Sequence, residues 1–205
     1  MALAKTKPLF TVEDYLKIDR TEDERHEFFD GEIYAMAGES GAHDDICMNM
    51  TGLLYMQLRD SNCRGRIKDT KVRSGMFPVT RPLVKGMISY PDIVVICGEP
   101  EYHDEFQDVV LNPQVIIEVL SESTETFDRG EKFHRYQLWN PTLTDYILVS
   151  QDKPIVEHFI RQTDGSWKYF IYKGLEQEFI VDSIDSRLKL EDIFYRVEFE
   201  KPMDY

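Results

Sequence analysis

Two short apolar runs constrain this chain most, because each carries one acid: YPDIVVIC (residues 90–97) and PQVIIEVLS (residues 113–121). Runs this short, rich in β-branched residues and flanked by turn formers, read as strands buried on both faces of a parallel or mixed sheet. Leaving a polar group unpaired there costs roughly 2–7 kcal/mol, and a charge costs more. Asp92 opens the first run and Glu118 sits late in the second. Side chains alternate along a strand, so Asp92 shares a face with Val94 and Ile96, and Glu118 with Ile116 and Leu120. If the strands are neighbours, both carboxylates converge on one side of the sheet. With the Val119 carbonyl they form an all-oxygen set of the kind a hard divalent cation takes. Alternatively, Asp92 caps a turn after Pro91 and Glu118 pairs with an arginine. For either acid alone the two readings weigh equally, and their joint occurrence favours convergence.

The flanking pattern supplies both helices and strands. Thr11 and Asp14 form a capping-box pair for a helix reaching about Ile18. Asp30-Gly31 is a hairpin turn between two strands in RHEFFDGEIYAMAG. Ile46, Met50, Leu53, Leu54 and Leu58 recur at helical spacing in GAHDDICMNMTGLLYMQL. RIKDTKVRSGMFPV reads as extended, and EYHDEFQDVVLN as a loop. Asp128 and Glu131 read as a D-x-x-E cap for a helix over RGEKFHRYQLW, stopped by Asn140-Pro141. TDYILVS is a further strand, and the pairs around TDG and EFIVD continue as an antiparallel meander before a helical turn at LKLEDIF. The expected class is α/β, bordering on α+β: a mixed central sheet flanked by helices, with an N-terminal hairpin. A single domain is expected over residues 1–205, its core at about 10–150 and a β extension at about 151–195.

The 205 residues suffice for a core without staples. Cys47, Cys63 and Cys97 are isolated, with no CxxC pair, which predicts reduced thiols and a cytoplasmic location. No run approaches the ~20 apolar residues of a membrane span, and MALAKTKPLF lacks a signal-peptide core. The net charge of −14 opposes nucleic-acid binding as a sum. Its distribution differs. Arg59, Arg64, Arg66, Lys68, Lys71, Arg73, Arg81 and Lys85 face only Asp60 and Asp69, a segment of about +6 in a remainder of about −20. Arg64, Arg66, Lys68, Lys71 and Arg73 are the candidate phosphate track, and a solvated face is the equal alternative.

The ordered segments TVEDYLKI, HEFFDGEIYAM, SGAHDDI, PDIVVIC, PQVIIEVLSEST, DRGEKFHRY and DYILV extend this reading. In that order, over about Phe10 to Phe194, the chain resembles the Uma-type family, classed with restriction endonucleases in the PD-(D/E)XK nuclease superfamily. The resemblance implies a restriction-endonuclease-like fold and metal-dependent hydrolysis of DNA phosphodiesters, with Mg²⁺ or Mn²⁺ on Asp92 and Glu118. It also implies a catalytic lysine. The plain E-x-K motif would place it at residue 120, which is leucine here. The resemblance moves the role to Lys132 in the RGEK segment. Glu27 and His43 are second-tier candidates for the same centre, with capping as the alternative for His43. Glu32 is expected to face solvent and Tyr136 to pack.

Two other functions are compatible with such a chain to different degrees. A binding module that has lost catalysis on the same fold remains open, because fold does not fix function. A two-carboxylate glycoside hydrolase fits poorly, for lack of aromatic-and-acid clusters. Cutting both strands of a duplex is easiest with two active sites, so a homodimer is the expected assembly.

Overall fold

The computed structural model describes residues 9–36, 38–75 and 85–199. Helix α1 (Val12–Asp19) begins at Thr11, whose hydroxyl accepts the Asp14 N–H while the Asp14 carboxylate accepts the Thr11 N–H. Strands β1 (His26–Phe29) and β2 (Glu32–Ala35) follow, joined through Asp30 and Gly31, both at positive φ. That is the turn geometry that Asp-Gly favours. Helix α2 (Gly41–Leu58) buries Ile46, Met50, Leu54 and Leu58 along one stripe.

Most of the remaining strands form two sheets. One has the order β2-β1-β5-β4-β7, with β4 (Lys71–Ser74), β5 (Met87–Ser89) and β7 (Val109–Val110). The other, six-stranded, has the order β11-β10-β9-β8-β6-β3. Its members are β3 (Cys63–Ile67), β6 (Ile93–Cys97), β8 (Val115–Leu120), β9 (Asp145–Ser150), β10 (Ile155–Arg161) and β11 (Trp167–Lys173). β8 and β9 run parallel and the other neighbours antiparallel, so the sheet is mixed.

The centre of the six-stranded sheet is covered on both faces, which explains why β8 reads as an apolar run broken only by Glu118: all six of its residues are buried. On one face Val115, Ile117 and Val119 pack with α2 and with a C-terminal unit of β12 (Glu178–Val181), β13 (Ser186–Lys189) and helix α5 (Leu190–Ile193). On the other face Val94, Ile96, Ile116 and Leu120 pack with helix α4 (Phe133–Trp139) and with Val72 and Met87 of the five-stranded sheet. β12 pairs with β13 in a hairpin of its own, so the meander does not continue into it.

Three further expectations are corrected. Cys63 and Cys97 stand opposite each other in the β3–β6 register and form a disulfide, leaving Cys47 as the free thiol. Strand register, not sequence spacing, brings that pair together. Asp128 and Glu131 do not cap a helix. The helical backbone already starts with α3 (Glu125–Phe127) and passes through a π turn (Asp128–Lys132) into α4. The basic segment does not form one track. Lys71 and Arg73 are each 4% exposed, because β4 is buried on both faces. Lys71 pairs with Asp19 at 2.7 Å and with Asp108 at 2.9 Å, and the Arg73 guanidinium stands 2.6 Å from His103 Nδ1. Arg64, Arg66 and Lys68 are exposed, whereas Arg81 lies outside the described residues.

Asp108 shows how much these pairs contribute. Burial alone would raise its carboxyl, but hydrogen bonds from Arg20 and Lys71 hold it down at about 2. A carboxyl depressed in the fold stabilises above its unfolded value, and the contribution disappears as pH falls from about 4 through 2. Asp108→Asn is therefore expected to lower unfolding free energy at pH 7 by about 2 kcal/mol. Urea unfolding at pH 7 and pH 2 should show the difference from wild type shrinking at the acid end.

Candidate active site

Asp92 stands just before β6 and Glu118 near the end of β8. The antiparallel register pairs Ile93 with Ile117, and one further step brings Asp92 across from Glu118. The contact is closed by the Val119 N–H, which donates to Asp92 Oδ2 at 2.7 Å. The residues that alternate with each acid, Val94 and Ile96, Ile116 and Leu120, lie in one core cluster on the α4 side.

The partner of Glu118 is Lys132. Its Nζ is 2.9 Å from Glu118 Oε1, 3.2 Å from Asp128 Oδ1 and 3.7 Å from Glu27 Oε1. Glu118, Asp128 and Lys132 are all at most 5% exposed. A π turn widens the helix locally and often marks a functional position. Here it carries both Asp128 and Lys132, and the buried Tyr146 hydroxyl donates to the Asp128 carbonyl at 2.9 Å. Tyr136, one turn beyond Lys132, is buried as expected, its hydroxyl 2.8 Å from that of Ser89.

Glu27 reaches the centre from β1. Its Oε1 accepts the Tyr90 N–H at 3.0 Å, which fixes the carboxylate beside the start of β6. His43 enters from the first turn of α2, where the Ser40 hydroxyl accepts its N–H, so Ser40 is the cap. His43 Nε2 is 3.3 Å from Asp92 Oδ2. Burial opposes protonation of this imidazole, but the Asp92 contact, with Glu39 and Asp44, outweighs it and moves the group up.

The centre carries more negative charge than Lys132 answers. Burial pushes the Glu118 carboxyl well up, and Asp128 and Asp92 add to the push against Lys132. Burial alone would lower Lys132, but Glu118, Asp128 and Glu27 hold its ammonium well above the usual lysine range. Glu118 Oε1 also takes no hydrogen bond of good geometry, the close ammonium notwithstanding. A cavity of about 930 Å³ opens on the centre, lined by Glu27, His43, Asp92, Val119, Asp128 and Lys132 among others. Surplus carboxylates lining the cavity, with Val119 beside them and the under-satisfied Glu118 oxygen buried next to them, fit a hard divalent cation.

The comparisons with known proteins agree with this architecture. The sequence profile of the family Uma2, described as "Putative restriction endonuclease", matches residues 12–191. The chain belongs to the Uma2 family. Two uncharacterized proteins of Synechocystis sp., slr1290 and sll1609, are each 33% identical to it. The first alignment spans 83% of this chain and 84% of the relative, and the second 82% and 89%. A crystal structure described as "a putative nuclease belonging to DUF820" from Anabaena variabilis superposes with a TM-score of 0.71 at 16% identity. It covers 90% of this chain and 97% of the other. At that identity the likeness concerns the fold. No helix among the described residues is long and apolar enough to cross a membrane.

Of the residues singled out from the Uma2 sequence, Asp92, Glu118, Lys132, Glu27 and His43 meet at one end of the six-stranded sheet. Asp128, a helix cap by its sequence pattern, joins them through Lys132. Its i,i+4 spacing to Lys132 was the available signal. Lys71 and Arg73 are buried in β4, Lys71 against Asp19 and Asp108 and Arg73 beside His103. Removing the ammonium while leaving its acids is costly, because a broken buried pair leaves an uncompensated charge. Lys132→Met is expected to destabilise the fold by about 3–5 kcal/mol at pH 7. Adding Glu118→Gln should recover part of that loss, and a double-mutant cycle by urea unfolding measures the recovery.

Proposed function

We propose that this Uma2 chain is a divalent-metal-dependent endonuclease that hydrolyses DNA phosphodiester bonds. The observation that carries the reading is the meeting of Asp92, Glu118 and Lys132 at one sheet end, beside a cavity that Asp92 and Lys132 line and Glu118 underlies from the buried strand. The family description and the nuclease likeness of the Anabaena fold support it.

Asp92, Glu118 and the Val119 carbonyl would hold Mg²⁺ or Mn²⁺. When bound, such an ion supplies a Lewis acid for a phosphoryl oxygen and lowers the pKa of a water. The protein's own groups do the rest. Lys132, kept as an ammonium among three carboxylates, is a donor: it orients the attacking water or meets charge developing on the phosphate. Asp128 and Glu27 restrain the ammonium, and His43 holds the Asp92 carboxylate. The exposed Arg64 and Arg66 on edge strand β3, with Lys68 just beyond it, remain as the candidate phosphate contacts.

Lys132→Ala is expected to lower kcat by roughly 10²–10³-fold while leaving Mn²⁺ binding largely intact. Asp92→Ala and Glu118→Ala should each lose both Mn²⁺ binding and cleavage. Plasmid cleavage with Mn²⁺, with and without EDTA, together with calorimetric metal titration, checks all three. Cleavage that persists in EDTA and in both acid variants would overturn the proposal. DNA retention without cleavage under either metal would favour the binding-module reading.

A further inference from the structure

Asp92 lines two cavities. Besides the large one it borders a smaller one of about 300 Å³, which Cys47 also lines. His43 and Cys47 are four residues apart on α2 and therefore share a face, the spacing that places two ligands of one ion on a helix. Cys47 Sγ is 3.6 Å from His43 Nδ1, and Asp92 Oδ2 is 3.3 Å from His43 Nε2. One donor atom from each of the three residues lies within 4.8 Å of the other two.

We propose that His43, Cys47 and Asp92 form a second cation site, for a borderline-soft divalent ion of the zinc type. A nitrogen, a sulfur and a carboxylate oxygen are the donors zinc takes, whereas magnesium takes oxygen. Metal–ligand bonds of 2.0–2.3 Å in tetrahedral array separate the ligands by roughly 3.3–3.8 Å. The His43–Asp92 separation of 3.3 Å is already in that range. An ion on Nε2, the nitrogen that faces Asp92, needs the thiol, which stands beside Nδ1, to swing towards that side; with the three donor atoms within 4.8 Å of one another the closure is about 1 Å. His43 is buried and therefore held, while Cys47 and Asp92 are half-buried and reached from the cavities. The fourth position is open to water. Burial, with Asp92 and Glu39 nearby, pushes the Cys47 thiol up, so it does not ionise by itself. The same carboxylates attract a dication. Because Asp92 belongs to both donor sets, an ion held by His43 and Cys47 draws an oxygen from the proposed magnesium centre. The site shares that residue with the nuclease reading but does not depend on cleavage.

Cobalt(II) titration of the full chain, without reductant so that Cys63 and Cys97 stay joined, tests the site. A thiolate-to-cobalt charge-transfer band should rise to saturation at a single equivalent, disappear on adding Zn²⁺ and persist on adding Mg²⁺. Cys47→Ser should abolish the band, and Glu118→Ala should retain it. Absence of the band, or its persistence in Cys47→Ser, overturns the proposal. If Cys47→Ser does not fold, alkylation of Cys47 in the wild-type chain replaces it. Saturating Zn²⁺ should slow that reaction about tenfold, and an unchanged rate overturns the site. A band in a chain that cleaves DNA with no metal would sink the nuclease reading alone, and cleavage without a band would sink this one alone.

Discussion

The contact between the Lys132 ammonium and the Glu118 carboxylate is the interaction on which the centre depends. Glu118 lies in a strand buried on both faces, where an uncompensated charge is not tolerated. Its compensation comes from the next helical segment, through a π turn that points Lys132 back at the strand. That turn is itself fixed, by the Tyr146 hydroxyl on the Asp128 carbonyl and by Asp128 on the ammonium. Glu27 ties the five-stranded sheet to the same point through the Tyr90 N–H. One buried acid therefore sets the relation of β1, β6, β8 and the helix that follows β8.

Local chemistry was readable where it is local. The Thr11–Asp14 box and the Asp30-Gly31 turn form as their side chains and φ preferences require. The shared face of Asp92 and Glu118 followed from period-two alternation and needed only that the strands be neighbours. Leu120 occupies the position of the motif lysine, and the resemblance, not spacing, names Lys132 in its stead. The π turn was not readable. No residue preference marks it, and the D-x-x-E pattern at Asp128 and Glu131 imitates a cap. Glu131 instead accepts from Arg135 within the helix, at 2.8 Å.

What depended on long-range register was hidden for a physical reason. Cys63 and Cys97 meet because β3 and β6 pair, across a separation of 34 residues. The basic segment looks continuous in one dimension, but alternation and burial divide it. Lys71 closes a buried network with Asp19, Asp108 and the Tyr90 hydroxyl, whereas Arg64 and Arg66 remain on an edge strand. Counting charges along the chain could not separate these, because burial in β4 depends on both sheets. Likewise, the C-terminal hairpin packs onto α2 and does not extend the meander, a choice made by the apolar stripe of α2.

The account of the centre is most directly tested by Mn²⁺ located through its anomalous scattering in crystals of the chain. An ion bound by Asp92, Glu118 and the Val119 carbonyl, with the Lys132 ammonium still beside Glu118, is the predicted result. Absence of an ion there at saturating Mn²⁺, with Glu118 engaged by Lys132 alone, would contradict it.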